Sequence, residues 1–472
     1  MCNRYVKYGI GILLLSMISL TASGCANEKA VVIEPMEKEE VYSLYFDALG
    51  GKDVMPISGY YGPRDESVSF DGQSLPDQFT DEMFKNIADC GVNMIHHTYT
   101  NYQFAPELTI RMLELGEKYG IGINVQDSQV SQRLDDDSLP LEELDARLNE
   151  YSDYPAFTGV YVVDEPGSPI FRAEVGESRY IERYKTVIQN LGKLGVFGSV
   201  NMLPPNDEKE SREALNDFLK DYCENYNPLN LSWDYYLFDK GFSTELWFYT
   251  LDRFSYYADQ YKLPLWVYVQ AGSQWNDGLE KFNTTTFYPT EGQLRWNVNV
   301  LLASGVKGLE YFPLVQPFHF SWSIEPEYNF HRNGLIGAWG NKTQWWYYAK
   351  EANAQVAAVD HVLMNAVCKG VILTGEKAKE DTAGCEYLIK EGTSWRELAD
   401  VKGNAYIGCF NYQGKTALYV VNYETEYAQK ITLKLQDSYD MSIIQSTEES
   451  HVSAKNLTLD MKAGEGALIV FD

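Results

Sequence analysis

The sequence predicts an α/β fold: a (β/α)8 barrel of the TIM type followed by a C-terminal all-β sandwich. Three observations carry this. Strand-like and helix-like segments alternate eight times between residues 53 and 364. Four of the eight helical segments close on a glycine that is followed at once by a short β-rich run. After Met364 helical periodicity stops, and short alternating runs separated by turn residues take over. Strict alternation implies a parallel sheet, and eight such units imply a closed barrel. The competing doubly wound sheet usually carries a Gly-rich phosphate loop after its first strand, and Ser58-Gly59-Tyr60-Tyr61-Gly62-Pro63 is not one.

Taken in order, the chain opens on an export-type segment. Arg4 and Lys7 precede an apolar run over 10–20 that is too short to span a bilayer, and small residues follow. The sequence Ala22-Ser23-Gly24-Cys25 resembles the lipobox of bacterial lipoproteins, with Ala22 where that motif usually carries an aliphatic residue. The resemblance implies that residues 1–25 are a signal with its lipobox and that Cys25 is lipidated. The protein would then be held to a bacterial membrane, at the cell surface or in the periplasm. Residues 26–52 read as a tether, since 28–40 is charged, contains Pro35 and lacks helical apolar periodicity.

The barrel is expected over 53–364. Its strands are predicted at 54–61, 94–99, 121–127, 157–163, 196–203, 231–237, 263–270 and 307–313, with helices starting near Asp81, Pro106, Leu141, Ser178, Ser211, Thr244, Thr290 and Lys342. Leu108, Met112, Leu115 and Tyr119 share one helical face behind Pro106. Gly91, Gly120, Gly195 and Gly305 stand where a helix ends in the left-handed region. The sandwich is expected over 365–472, with strands at 368–374, 386–390, 405–412, 416–423, 429–435 and 466–471. Cleavage near residue 364 should separate two folded units.

A formal charge of −28 argues against nucleic acid as a partner and suits a neutral, soluble substrate. Beyond Cys2 and Cys25, the cysteines at 90, 223, 368, 385 and 409 show no CxxC spacing, so neither a zinc site nor a disulfide framework is indicated. The sequence leaves open whether Cys385 pairs with Cys409. Aromatic residues make up 14% of the chain, including 35 Tyr and 10 Trp. Such side chains serve cores, and they also stack on sugar rings.

Catalytic groups of such a barrel sit where its strands end. Reading those ends gives Tyr60, His96-His97, Asp127, Asp164-Glu165, Asn201, Asp234-Tyr235, Gln270 and Glu310-Tyr311. Asp164-Glu165-Pro166 is the sharpest, because two adjacent carboxylates follow an apolar strand. Crowding and desolvation there would raise one pKa and keep a general acid protonated near neutrality. Adjacent residues of a strand face opposite ways, so at most one of His96 and His97 faces the barrel, and no metal site is indicated. His97 is a candidate for binding substrate. Trp275, Trp322 and Trp339 are candidate stacking platforms in the seventh and eighth loops.

At this strand the chain resembles clan A glycoside hydrolases, loosely the family 42 β-galactosidase type, whose fourth strand ends in Asn-Glu-Pro. Here Asp164 replaces the Asn, and Glu165 and Pro166 are retained. Further resembling stretches are Trp233-Asp234-Tyr235-Tyr236, Trp266-Val267-Tyr268-Val269-Gln270 and residues 305–312. The resemblance implies a glycosidase acting on oligo- or polysaccharides without a cofactor, with Glu165 as acid/base. That clan's nucleophile is a Glu at the end of strand seven, where this chain has Gln270, which cannot form a glycosyl ester. Glu310 is the favoured partner carboxylate; Asp127 or Asp234 would serve instead as base of an inverting enzyme. A substrate-assisted route through Asp164-Glu165, as in N-acetylhexosaminidases, needs no protein nucleophile. Tyr60, His97, Asp127, Asn201, Asp234, Tyr235, Gln270, Trp275 and Tyr311 are candidate substrate contacts. A carbohydrate-binding lipoprotein that has lost catalysis is the reading from another class.

Overall fold

The computed structural model describes residues 36–65, 69–70, 73–96, 98, 100–131, 140–165, 179–202, 209–238, 243–272, 289–316 and 334–472. Eight parallel strands form the first sheet: β1 (Ile57–Gly59), β2 (Met94–Ile95), β3 (Gly122–Gln126), β4 (Phe157–Asp164), β5 (Gly198–Asn201), β6 (Leu231–Trp233), β7 (Leu265–Gln270) and β8 (Gly308–Phe312). Consecutive strands are neighbours, and β8 returns to β1. A parallel bridge between Met202 and Trp233 closes β5 on β6, with Met202 N–H donating to the Ser232 carbonyl at 3.0 Å. The predicted (β/α)8 barrel is therefore present, with strand seven ending at Gln270 as counted from the sequence.

The helices are α1 (Lys38–Ala48), α2 (Asp81–Asp89), α3 (Pro106–Tyr119), α4 (Leu141–Leu148), α5 (Arg179–Lys193), α6 (Lys209–Asn225), α7 (Thr244–Tyr261), α8 (Glu291–Ala303) and α9 (Gln344–Leu363). Local chemistry sets their ends. Pro106 opens α3 and Gly120 closes it at φ +69°. Thr290 and Gln293 form a reciprocal capping box at α8. After α8, Gly305 takes φ +84°, and a Cβ there would lie 2.6 Å from Cys368 Cβ, so both conformation and space demand glycine.

Helix α1 corrects the tether reading over Lys38–Ala48, while 26–35 lie outside the described residues. Its Val41 and Tyr45, with Leu49, pack under the barrel against Met94, Phe197, Leu229 and Trp266. Tyr45 stacks on Phe197 at 4.4 Å and Phe197 on Trp266 at 5.2 Å. Apolar spacing starts only at Val41, beyond the charged stretch that suggested a linker. Burying each of these side chains contributes about 1.5–3 kcal/mol, so α1 is a floor to the barrel.

Above that floor, alternate residues of each strand point inward and stack in layers. The middle layer holds Ser58, His96, Ser232, Tyr268 and Glu310. The upper one holds Tyr60, Tyr161, Asn201, Asp234 and Phe312. Side-chain hydrogen bonds define the two groups: Ser58 and Ser232 both donate to Glu310, while Tyr60 and Asn201 both donate to Asp164 and Asn201 also to Asp234.

Beyond α9 the chain builds one seven-stranded antiparallel sheet. Its strands are β9 (Ala366–Leu373), β10 (Leu398–Lys402), β11 (Ala405–Tyr412), β12 (Lys415–Asn422), β13 (Gln429–Gln445), β14 (Glu448–Met461) and β15 (Gly466–Phe471). The order is β9-β11-β12-β15-β13-β10, with β14 on β13, and the sheet folds over a core of its own that includes Ile372, Ile407, Leu418, Leu433 and Ile469. The strand expected at 386–390 is instead a loop touching β9 at a single bridge, Val371 to Ile389. Its amides serve another partner: Asp252 of α7 accepts from Glu386 N–H at 3.1 Å, Tyr387 N–H at 2.9 Å and Leu388 N–H at 2.7 Å. Cys385 and Cys409 are free thiols, the first donating to the Phe248 carbonyl and the second enclosed in the sheet.

The sheet's other face completes the barrel's core, because Tyr406, Phe410, Tyr419, Tyr423 and Leu468 belong to the same apolar cluster as Trp247, Phe248 and Trp296. Hydrogen bonds cross the same boundary. Tyr419 donates to Asn299 Oδ1 at 2.6 Å, the Ser304 and Tyr406 hydroxyls lie 2.8 Å apart, and Lys307 Nζ donates to the Ala366 carbonyl at 2.7 Å.

Candidate active site

Strand β4 delivers two carboxylates to the barrel mouth. Its pairing with β5 shifts between Tyr161 and Val163, and this irregularity sets Asp164 beside Asn201. Glu165 follows at φ +45°, a left-handed conformation costing a non-glycine residue about 1–3 kcal/mol. Its N–H donates to the Asn201 carbonyl at 3.0 Å, which fixes the bend. Tyr61, at the end of β1, is left-handed as well, at φ +63°. Two strained residues at the strand ends mark this mouth as a place where local geometry serves something other than stability.

Asp164 stands exposed and is oriented from three sides. Tyr60 donates to Oδ2 at 2.6 Å, Asn201 Nδ2 approaches Oδ1 at 3.2 Å, and the Tyr161 hydroxyl bonds the same carboxylate. The Asn201 amide also reaches Asp234 Oδ1 at 3.0 Å, so one side chain ties the carboxylates of β4 and β6 together. Glu165 and Asp234 hydrogen-bond each other directly. Burial, and then the neighbouring Asp164 charge, push the Glu165 carboxyl up to about 7. Burial and then Glu165 hold the Asp234 carboxyl well above its usual range. Two carboxyls in contact share a proton and titrate as a pair.

Aromatic rings wall this group. Tyr60, Tyr61, Tyr161, Tyr236 and Tyr268 form one buried cluster with Phe312 packed on it, and Tyr236 hydrogen-bonds Asp234. Burial raises the hydroxyls of Tyr60, Tyr161, Tyr236 and Tyr268 well above the usual tyrosine range, so they stay protonated as donors. Of these rings only Tyr60 stood out from the sequence. Tyr161 and Tyr268 share the inward period-2 face of their strands, and that pattern was the available signal.

Glu310 lies deeper in the barrel, close enough for its charge to act on Tyr268 and on Tyr45 of the floor. It is fully buried; Oε1 accepts from Ser232 Oγ at 2.7 Å and Oε2 from Ser58 Oγ at 3.3 Å. His96 is the histidine that faces inward, with Nδ1 2.7 Å from Glu310 Oε2 but out of hydrogen-bond alignment. Glu310 is thus a carboxylate of the barrel interior and does not join the Glu165 group.

Other expected contacts sit elsewhere for identifiable reasons. Asp127 is buried, paired with Arg147 Nε at 2.6 Å and accepting from the Tyr151 hydroxyl at 3.2 Å. Gln270 holds loops, accepting from Phe238 N–H at 2.9 Å and donating to the Gly272 carbonyl at 3.1 Å. The Tyr235 hydroxyl accepts from Ser243 N–H at 2.7 Å, just before α7. Tyr311 points outward from β8 and donates to Asn353 of α9 at 2.8 Å. Trp339, in the loop after β8, is half exposed. His97, Trp275, Trp322 and Cys25 lie outside the described residues.

The structure is thus an eight-stranded α/β barrel with a carboxylate cluster at its C-terminal mouth. Similar folds among solved structures include a β-galactosidase from the psychrophilic Marinomonas ef1, at 11% identity over 67% of this chain and TM-score 0.45. This chain spans 63% of that enzyme's length. A glucosidase from Croceicoccus marinus aligns at 11% identity over 88% of this chain and 95% of its own, with TM-score 0.40. The endo-β-1,4-mannanase of Thermotoga petrophila aligns at 9% identity over 87% and 92%, with TM-score 0.41. At these scores nothing about activity transfers from them. No protein-family profile and no curated protein matches the chain.

Proposed function

We propose that this protein is a glycoside hydrolase in which Glu165 is the general acid. The observation that carries the reading is the cluster of Asp164, Glu165 and Asp234 at the barrel mouth, tied together by Asn201, in which burial and the adjacent Asp164 charge raise the Glu165 carboxyl to about 7. Breaking a glycosidic bond needs such a proton for the departing oxygen and a second carboxylate beside it. The tyrosine-lined wall supplies apolar faces and hydroxyl donors of the kind that bind sugar rings. Asp164, held by Tyr60, Tyr161 and Asn201, then acts chiefly to orient the site. That arrangement favours a protein partner carboxylate over the substrate-assisted route.

A panel of aryl glycosides that includes an N-acetylglucosaminide tests the reading. Hydrolysis of at least one member is expected, and binding of sugars without any turnover would favour the binding-protein alternative instead.

The pH dependence has a defined sign. Glu165 is protonated below about 7, so activity should fall as pH rises through that value, and Glu165→Gln should lack this alkaline limb. Stability carries the same proton. From the ordinary carboxyl value of 4.5 up to about 7, the folded chain keeps a proton that the unfolded chain releases. This group therefore makes folding less favourable as pH rises across that window. A profile whose alkaline limb persists in Glu165→Gln would assign the limb to another group.

We also propose that Cys25 carries a lipid anchor, on the strength of Ala22-Ser23-Gly24-Cys25 after an apolar run. Metabolic labelling with a radioactive fatty acid should mark the wild type and spare Cys25→Ser. Equal labelling of both would remove the anchor from the account.

A further inference from the structure

The terminal sheet ends on a long strand whose outer edge is open. Strand β14 pairs with β13, and among the described residues no other strand pairs with it. At 14 residues it far exceeds the usual strand of about 5–6. An unpaired edge of this length is a template for another strand. Proteins that keep such an edge to themselves blunt it with Pro, with inward-pointing charges or with a bulge in the edge strand. Residues 449–455 carry no Pro, and the shifted pairing of the hairpin falls on β13, between Lys434 and Tyr439.

Alternation gives this segment two different rows of side chains. Ser450, Val452 and Ala454 form the inward row, with Val452 and Ala454 half-buried against the sheet's own core. This row is uncharged. Glu449, His451, Ser453 and Lys455 form the outward row and are exposed. His451 belongs to it by contact as well, with Nε2 3.7 Å from Glu449 Oε1 and Nδ1 2.9 Å from Ser442 Oγ on β13.

The outward charges are complementary to their own reverse. An antiparallel strand of identical sequence, centred on Val452, sets Glu449 against Lys455 and Lys455 against Glu449. On the inward row Val452 then meets Val452 and Ser450 meets Ala454, which continues an uncharged face over the core. Parallel pairing in register would instead set Glu449 on Glu449 and Lys455 on Lys455, and like charges directly opposite destabilise a sheet. The favourable arrangement is the two-fold one, which closes as a dimer. Net charge does not oppose it here. Glu448, Glu449 and Lys455 leave residues 448–456 at −1 in a chain that carries −28. More distant charges are screened beyond about 8 Å at physiological ionic strength.

We propose that two copies of this chain associate edge to edge through residues 449–455 of β14, antiparallel and in register about Val452. The sheet then runs unbroken across the two-fold axis, and the pairing takes up backbone amides and carbonyls at the open edge. This association is independent of the barrel mouth and holds whether or not the protein cleaves glycosides.

Sedimentation velocity tests it on the full chain carrying Cys25→Ser, which keeps any lipid out of the measurement. A monomer–dimer equilibrium is expected between about 1 and 100 μM. Lys455→Glu turns two cross-strand attractions into repulsions and should weaken the dimer about tenfold. Glu449→Lys should do the same, and the two substitutions together should restore the wild-type equilibrium. Val452→Cys supplies a second readout. Directly opposite Cα atoms of antiparallel strands lie about 4.5–5.5 Å apart, within disulfide reach, so mild oxidation should link the two copies. Glu448→Cys, whose copies stand far apart in this register, should stay unlinked. A chain that sediments as a monomer throughout the range overturns the proposal. So does a dimer that ignores the charge substitutions and stays unlinked in Val452→Cys, because its interface then lies on another surface.

Discussion

Replacing Glu165 with Gln should lower turnover on unactivated glycosides by about 10^3-fold, within the 10²–10⁴ that a positioned general acid supplies. Gln keeps the size of the side chain and can still hydrogen-bond Asp234, so substrate binding should change little and the loss should fall on kcat. The backbone at this residue is strained at φ +45° and tied through its N–H to Asn201, and neither depends on the carboxyl. Thermal stability of the variant should therefore match or exceed that of the wild type, because a crowded carboxyl is removed from beside Asp164 and Asp234. Undiminished kcat on an unactivated glycoside would show that the fourth strand is not the catalytic one.

The largest expected effect on stability lies far from the mouth. Asp252 is fully buried on α7 and accepts the amides of Glu386, Tyr387 and Leu388. The same carboxylate pairs with Arg253 Nη2 at 2.5 Å. Asp252→Ala would strand three amides and a guanidinium in a poorly solvated place. Breaking one partner of a buried charged network costs about 3–5 kcal/mol. For a chain of this size that corresponds to a fall in Tm on the order of 5 °C. Because the barrel and the terminal sheet share one apolar cluster, loss should appear as a single shifted transition that both units follow. Calorimetry showing an unshifted Tm, or two separated transitions, would contradict this and support independently folding units instead.

Much of the barrel was legible because its punctuation is local. Gly91, Gly120, Gly195 and Gly305 end helices where only a left-handed residue fits, and all four have positive φ. The inward layers were legible in part, since period-2 alternation places Tyr60, Tyr268 and Asn201 on inner faces. The irregularity in β4 was not, because one shifted pairing changes which side chain meets Asn201 and leaves no trace in composition. Glu310 is the favoured partner from sequence because it lies near the end of the eighth strand, next to the position where a clan A nucleophile is expected, and the sequence does not show that its oxygens are taken up by Ser58 and Ser232. The β13–β14 hairpin escaped for a different reason. Residues 448–456 are largely exposed on both faces, so no apolar alternation announces a strand. Asp252 was likewise indistinguishable from any acidic residue of an amphipathic helix, since its partners come from a loop more than a hundred residues away.

The central claim is that Glu165 delivers a proton to a departing sugar oxygen, and leaving-group dependence measures that step directly. In a series of aryl glycosides of one sugar, the wild type should show little dependence of kcat/KM on the pKa of the phenol, because the enzyme supplies the proton. Glu165→Gln should show a steep dependence, close to wild-type rates with dinitrophenolate and falling by orders of magnitude toward unsubstituted phenol. Parallel slopes for the two proteins would mean that no proton comes from Glu165, and the proposed active site would be wrong.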